Sequence, residues 1–155
     1  MNSILKSLLS LVPLLLVAFA VGAQTLNAEE KKIIAFIDKN NGAAIALLEK
    51  TVNMGSPTED LAAVKNVGMV FGKEFETLGL SIRWIDMPAE MKRAGHLVAE
   101  TKGTKGKRVF LLGHIDTVLK GERFRVEGKK GYGTGVGDMM GGNVIILQAL
   151  KALQA

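Results

Sequence analysis

Val109-Phe110-Leu111-Leu112-Gly113-His114-Ile115-Asp116-Thr117-Val118 is the stretch on which the fold turns. Its first four residues are apolar without alternation, the pattern of a strand covered on both faces in the interior of an α/β layer structure. The polar residues come at its end. In an extended chain, side chains two apart point the same way, so His114 and Asp116 share a side while Ile115 packs on the other. Ligands of open α/β sheets gather beyond the carboxyl ends of the strands. The run therefore delivers a histidine and a carboxylate to the place where such sites form. A His-x-Asp pair is weak evidence alone, because a strand-end histidine satisfied by a nearby carbonyl is the commoner case.

The pair gains weight from a glycine-rich segment downstream. Gly131-Tyr132-Gly133-Thr134-Gly135-Val136-Gly137-Asp138-Met139-Met140-Gly141-Gly142-Asn143 holds six glycines in thirteen residues. Such a segment turns tightly and reaches positive φ. It holds Asp138 at the mouth of the next helix, whose N-terminus favours a carboxylate. A phosphate loop fails on spacing. Counted from Gly131 or Gly133, the last glycine of G-x-G-x-x-G falls on Val136 or Asp138, and no Gly-Lys-Ser/Thr ending is present. Without His114 upstream, a glycine-rich turn with an aspartate cap would be the preferred account.

The flanking elements complete an α/β pattern. Asn27 and Glu30 have capping-box spacing ahead of Ile33, Ile34 and Ile37. Asn40-Asn41-Gly42 interrupts that pattern before Ile45, Leu47, Leu48 and Val52, which leaves one bent helix or two. Ser56-Pro57-Thr58-Glu59 reads as a helix start, with Ser56 as cap, Pro57 in the first position and Glu59 reaching back. Leu61, Val64, Val67, Phe71, Phe75 and Leu78 mark one face of that helix, and Gly79 suits its left-handed end. Ser81–Asp86 and His96–Glu100 read as strands, with the polar, lysine-rich segment 101–107 as a turn. His96 reads as an ordinary strand residue. Phe124–Glu127 and the residues near Tyr132 read as a short hairpin around Gly128. A last helix, beyond Gly141-Gly142, carries Val144, Ile145, Leu147, Gln148, Leu150 and Leu153.

Composition limits the chemistry. The 155 residues include no cysteine and two histidines, so thiol nucleophiles, thiolate zinc sites and disulfide scaffolds are excluded. Any metal must be held by His, Asp or Glu. Lys and Arg number 20 against 15 Asp and Glu, a net charge of +5. No aromatic residues are interleaved with the lysines of 101–107, so a nucleic-acid partner is not expected. Met1–Lys6, the apolar stretch Leu8–Val21 and the small residues Val21-Gly22-Ala23 have the layout of a secretory signal peptide. The stretch is shorter than the roughly 20 residues of a spanning helix, so no stable membrane anchor is expected. The expected division is signal peptide 1–23 and mature chain 24–155, secreted or periplasmic. Loss of Lys6 takes the charge from +5 to +4.

Gly113-His114-Ile115-Asp116-Thr117-Val118, together with Gly133-x-Gly135-x-Gly137-Asp138-Met139-x-Gly141-Gly142 downstream, resembles the co-catalytic zinc amidohydrolases. These comprise acetylornithine deacetylase, succinyl-diaminopimelate desuccinylase and glutamate carboxypeptidase. Phe124-Arg125-Val126-Glu127-Gly128, Leu47-Leu48-Glu49-Lys50 and Val52-Asn53 resemble the secreted glutamate carboxypeptidase branch. The resemblance runs from about residue 43 to the end of the chain.

It implies part of a zinc-peptidase catalytic domain, α/β, with a mixed sheet flanked by helices and incomplete at the C-terminus. His114 is implied as a ligand of one zinc and Asp138 as the carboxylate bridging two. Asp116 is implied as the catalytic aspartate behind them, fixing the histidine-bearing loop or polarising a group near the general base. The Asp138–Met139 peptide bond is implied to be cis. Met140 stands where the family usually has lysine, a departure expected to alter only packing at the loop or helix start. The implied reaction is metal-assisted hydrolysis of an amide in a small peptide or N-acyl amino acid, with a glutamate carrying the proton. The general-base glutamate, the other zinc ligands and the domain through which a homodimer would form are expected outside this chain. The 155 residues alone are expected to bind zinc weakly and to hydrolyse nothing. The alternatives are an amino-acid N-deacylase of the same family and a small secreted, non-catalytic α/β binding module.

Overall fold

The computed structural model describes residues 25–119 and 121–155. The expected signal peptide lies outside the described residues. The described residues fall into two units with the boundary between Lys32 and Ile33. In the first, Asn27 and Glu30 form the expected capping box. The Asn27 amide donates to Glu30 Oε2 at 2.7 Å, and the Glu30 amide donates to Asn27 Oδ1 at 2.9 Å. Two amide donors at the helix start are thereby satisfied reciprocally.

The helix that begins there, α1, spans Ala28–Met54 without interruption. At the Asn40-Asn41-Gly42 interruption, the Asn40 side-chain amide donates to the Phe36 carbonyl at 2.8 Å, keeping to the helical direction. Helix α2 spans Leu61–Glu76. It begins later than the Ser-Pro-Thr-Glu signal suggests, and its cap is Asp60, whose carboxylate accepts from the Ala63 amide. Gly79, at φ +74°, lies just past its end as expected. Strands β1, Ser81–Ile85, and β2, His96–Glu100, pair antiparallel with Ser81 opposite Glu100 and Ile85 opposite His96. Strands β3, Arg125–Glu127, and β4, Lys130–Tyr132, make the expected hairpin. Helix α3 spans Gly141–Gln154. The α/β character of the chain is thus realised in two small antiparallel sheets and three α-helices among the described residues. None of the described helices is long and apolar enough to cross a membrane.

The core joins these elements behind the site. Val52 of α1, Val67 and Phe71 of α2, and Met140 and Val144 at the start of α3 are buried together. Leu47, Leu48, Leu97, Ile115 and Phe124 pack against them. Val64, Val67 and Phe71 fulfil the apolar face expected of α2, whereas Leu61 is exposed. In α3, Val144, Leu147 and Gln148 are buried, while Ile145 and Leu153 face outward.

The expectation for Val109–Leu112 is corrected. These four residues form no strand, and all are exposed, Phe110 at 83%. An apolar run is buried on both faces only when strands flank it and layers cover it. Among the described residues nothing does so. The chain is caught a few residues later, where Pro57 and Thr117 form a parallel bridge. The Thr117 amide donates to the Ser56 carbonyl at 2.8 Å, and the Thr58 amide donates to the Thr117 carbonyl at 2.9 Å. Ser56, expected to cap a helix, is fully buried and donates its hydroxyl to the Ile115 carbonyl at 2.7 Å. Removal of a buried hydrogen-bond partner costs about 1–3 kcal/mol. Ser56→Ala is therefore expected to lower unfolding stability by that amount, read as a lower urea midpoint with an unchanged slope.

Candidate metal centre

Ile115 packs on the core, while His114 and Asp116 lie on the other side of the chain, as alternation requires. Their orientation survives although the preceding strand does not form, because the bridge to 56–58 holds residues 115–117 extended. Asp116 is gripped from that bridge. Thr58 Oγ1 donates to Asp116 Oδ2 at 2.6 Å, and the other carboxylate oxygen, Oδ1, lies 3.5 Å from His114 Nδ1.

Asp138 arrives from the glycine-rich segment. The Met140 amide donates to the Gly135 carbonyl at 2.9 Å, and the Gly141 amide donates to the Val136 carbonyl. These five-residue reaches make a wide turn just before α3. Inside it, Asp138 and Met139 are not helical, with φ near −131° and −135°, and the bond joining them is cis. Gly135 makes the close approach possible. Its φ is +79°, and a Cβ there would stand 2.6 Å from Thr117 Cγ2. Any larger residue would be strained and would press on the segment that carries His114 and Asp116.

The result is a direct contact across 24 residues. His114 Nε2 lies 2.8 Å from Asp138 Oδ1, and His114 Nδ1 lies 2.9 Å from the Asp116 main-chain carbonyl oxygen. A carbonyl only accepts, so Nδ1 carries the hydrogen. A neutral ring would then turn the Nε2 lone pair toward a carboxylate oxygen at hydrogen-bond distance. The pair needs a positive charge between its members, supplied by a proton or by a metal ion. Without a metal, the contact favours the protonated ring. The Asp138 carboxylate, hydrogen-bonded to the ring, raises the His114 pKa above 6.5 against the opposing effect of partial burial, with the Asp116 carbonyl adding to the rise.

This rise ties stability to pH. Because the folded value is raised, the contribution of the pair is fully present below the unfolded pKa of about 6.5 and is lost as pH rises through the higher folded value. His114→Gln should abolish that component, so wild-type and variant thermal midpoints should differ more at pH 5 than at pH 9. The ring is nearly half exposed, so solvent screening keeps the effect small.

The donor chemistry suits a zinc-like ion. Nitrogen and oxygen arms of about 2.0–2.1 Å around a tetrahedral ion set adjacent donors about 3.3 Å apart. The 2.8 Å contact need open by only about half an ångström to meet that spacing. The Asp138 side chain is 90% exposed, and its Oδ2 has no protein partner among the described residues. No third His, Asp or Glu among those residues joins the pair as a metal-binding group. The described residues thus bring together two side chains that could hold such an ion.

All three residues singled out from the sequence, His114, Asp116 and Asp138, meet here. His96 lies at the exposed start of β2, as an ordinary strand residue would. Sequence reasoning missed Thr58, which grips Asp116, and Asn143, whose side-chain amide donates to the His114 carbonyl at 2.7 Å. Thr58 is hidden inside an apparent helix start. Asn143 closes the glycine-rich motif with nothing in its spacing to mark a partner 29 residues back.

Fold and geometry together define an α/β chain with a His–Asp donor pair at a glycine-rich helix start. Its sequence is similar to a carboxypeptidase. Carboxypeptidase G2 of Pseudomonas sp. (strain RS-16) is 33% identical over 155 aligned residues, which take in 94% of this chain and 36% of that protein. The alignment leaves out only extremities, so it includes both motifs. The chain spans about a third of the length of this curated relative. No family model matches it.

Proposed function

We propose that this chain is part of an exported, zinc-dependent hydrolase of the co-catalytic amidohydrolase family, glutamate carboxypeptidase-like, that cleaves an amide bond. The observation that carries this is the 2.8 Å approach of His114 Nε2 to Asp138 Oδ1, with Nδ1 already committed to the Asp116 carbonyl. Two acceptors fixed face to face form the beginning of a cation site. Similarity to Carboxypeptidase G2 over both motifs supports the hydrolase class. The layout of residues 1–23 supports export.

His114 and Asp138 would hold zinc. A bound zinc ion supplies Lewis acidity toward a carbonyl oxygen and lowers the pKa of water. The residues of this chain position and tune. The Asp116 carbonyl fixes the histidine tautomer, leaving Nε2 as the donor atom. Thr58 holds the Asp116 carboxylate beside the ring. The wide turn presents Asp138 to solvent, where a small peptide or N-acyl amino acid can reach it.

Titration with zinc and assay with peptides ending in glutamate, alongside N-acyl amino acids, test the proposal. Stoichiometric uptake by the protein containing this chain supports the site, with only weak uptake expected of the 155 residues alone. Hydrolysis of the first substrate class by the protein containing this chain supports the carboxypeptidase type, and hydrolysis of the second alone would make it an N-deacylase. A protein that takes up no divalent ion would overturn the metal reading.

A further inference from the structure

We infer that Asn143 is a positioning residue for the His114–Asp138 pair, acting through the main chain of residue 114. Its importance for zinc rests on the proposed function, but its geometry does not.

His114 has two main-chain polar groups, and both are held by the segment that carries Asp138. Its carbonyl accepts from Asn143 Nδ2 at 2.7 Å. Its amide is directed at Met139 Sδ at 3.3 Å. A thioether is a weak acceptor, so the Asn143 bond is the stronger of the two. Neither bond uses the imidazole or the Asp138 carboxylate. The backbone of residue 114 is therefore set against residues 139–143 independently of any attraction between the side chains.

Burial cannot do this work, because the His114 side chain is 46% exposed and that of Asp138 is 90% exposed. Directional bonds are what remain to fix the ring. Gly113 is adapted to the same contact. A Cβ at that position would fall on the Asn143 side-chain oxygen and lie 3.1 Å from Met139 Cε. The absent side chain of residue 113 thus leaves the space in which the Asn143 amide sits. Asn143 and Gly113 meet as lock and clearance, one from α3 and the other just ahead of the histidine.

The experiment compares wild type with Asn143→Ala, Asn143→Asp and Gly113→Ala. Asn143→Asp keeps the size of the side chain and replaces the donor with an acceptor. Gly113→Ala leaves Asn143 in place but displaces its amide. In the metal-free protein, 15N NMR of the His114 ring reports the Nε2 contact to Asp138, and amide signals of β1 and β2 report that the chain is folded. Cobalt(II) chloride titration, followed by ligand-field absorption, reports assembly of the metal pair.

Each variant is expected to lose the wild-type Nε2 signature while keeping the β1–β2 signals, with cobalt affinity lowered about 10–100-fold, the usual cost of removing a group that orients a ligand. If Asn143→Ala unfolds, the isosteric Asn143→Asp carries the comparison. A wild-type ring signature in folded Asn143→Asp, or in folded Gly113→Ala, would overturn the assignment. If the wild type binds no cobalt while the ring signature still depends on Asn143, positioning stands and the metal reading falls.

Discussion

Zinc affinity is expected to fall by at least about 100-fold in His114→Ala and in Asp138→Ala. Removing a group that only orients a metal ligand costs about 10–100-fold, and these substitutions remove the proposed donor atoms themselves. His114 offers one ring nitrogen, with the other engaged by the Asp116 carbonyl, so no rotation of the ring replaces the lost bond. Asp138 is the carboxylate within reach of that nitrogen. The two losses should not add, because either one leaves the partner without its counterpart. Calorimetric titration of each variant measures the effect, and any hydrolysis by the protein that contains this chain should disappear with it. Wild-type affinity in either variant would show that the ion, if bound, is held elsewhere.

Met140→Ala is expected to cost about 2–5 kcal/mol of unfolding free energy, the usual range for truncating a buried methionine. Met140 is 1% exposed and sits among Val52, Val67, Phe71 and Val144. It is also the residue that leads from the wide turn into α3, two positions after Asp138. The resemblance to the amidohydrolases places a lysine here. In this chain the position is closed and apolar, so the methionine acts as the anchor of the Asp138 turn. A lowered urea midpoint in Met140→Ala measures the loss of packing. An unchanged midpoint would mean that the core closes over the gap.

Local features of this chain are legible from sequence because both partners lie within one helical turn or one hairpin. Asn27 and Glu30 meet as their spacing requires. The buried face of α2 and the pairing of β3 with β4 agree with periodicity and turn chemistry. Ser56-Pro57-Thr58-Glu59 obeys the same local rules and is overridden. Its hydroxyls find partners at Ile115, Asp116 and Thr117, about 59 positions away, and α2 takes Asp60 as its cap instead. Val109–Leu112 shows the converse limit. The run has the composition of a covered strand, but covering depends on elements that local pattern does not locate.

The site divides in the same way. His114, Asp116 and Asp138 stand out because few residue types can do such chemistry. Thr58 and Asn143 do not, because a hydroxyl and an amide are common and acquire meaning only from the atoms opposite them.

The bridge between residues 56–58 and 115–117 joins segments far apart in sequence. Closing a loop of about 59 residues carries an entropy cost of about 3.5 kcal/mol plus a constant, from the logarithmic dependence on loop length. That cost is offset by a few hydrogen bonds and by the burial of Ser56 and Thr117. Helix α2 and the β1–β2 pair lie inside this loop, and their formation shortens its flexible part and lowers that cost. Opening of the bridge would separate Thr58 from Asp116 and loosen His114 while that nearby unit stayed folded. The His114–Asp138 contact is accordingly expected to report closure of this bridge more closely than helix content does.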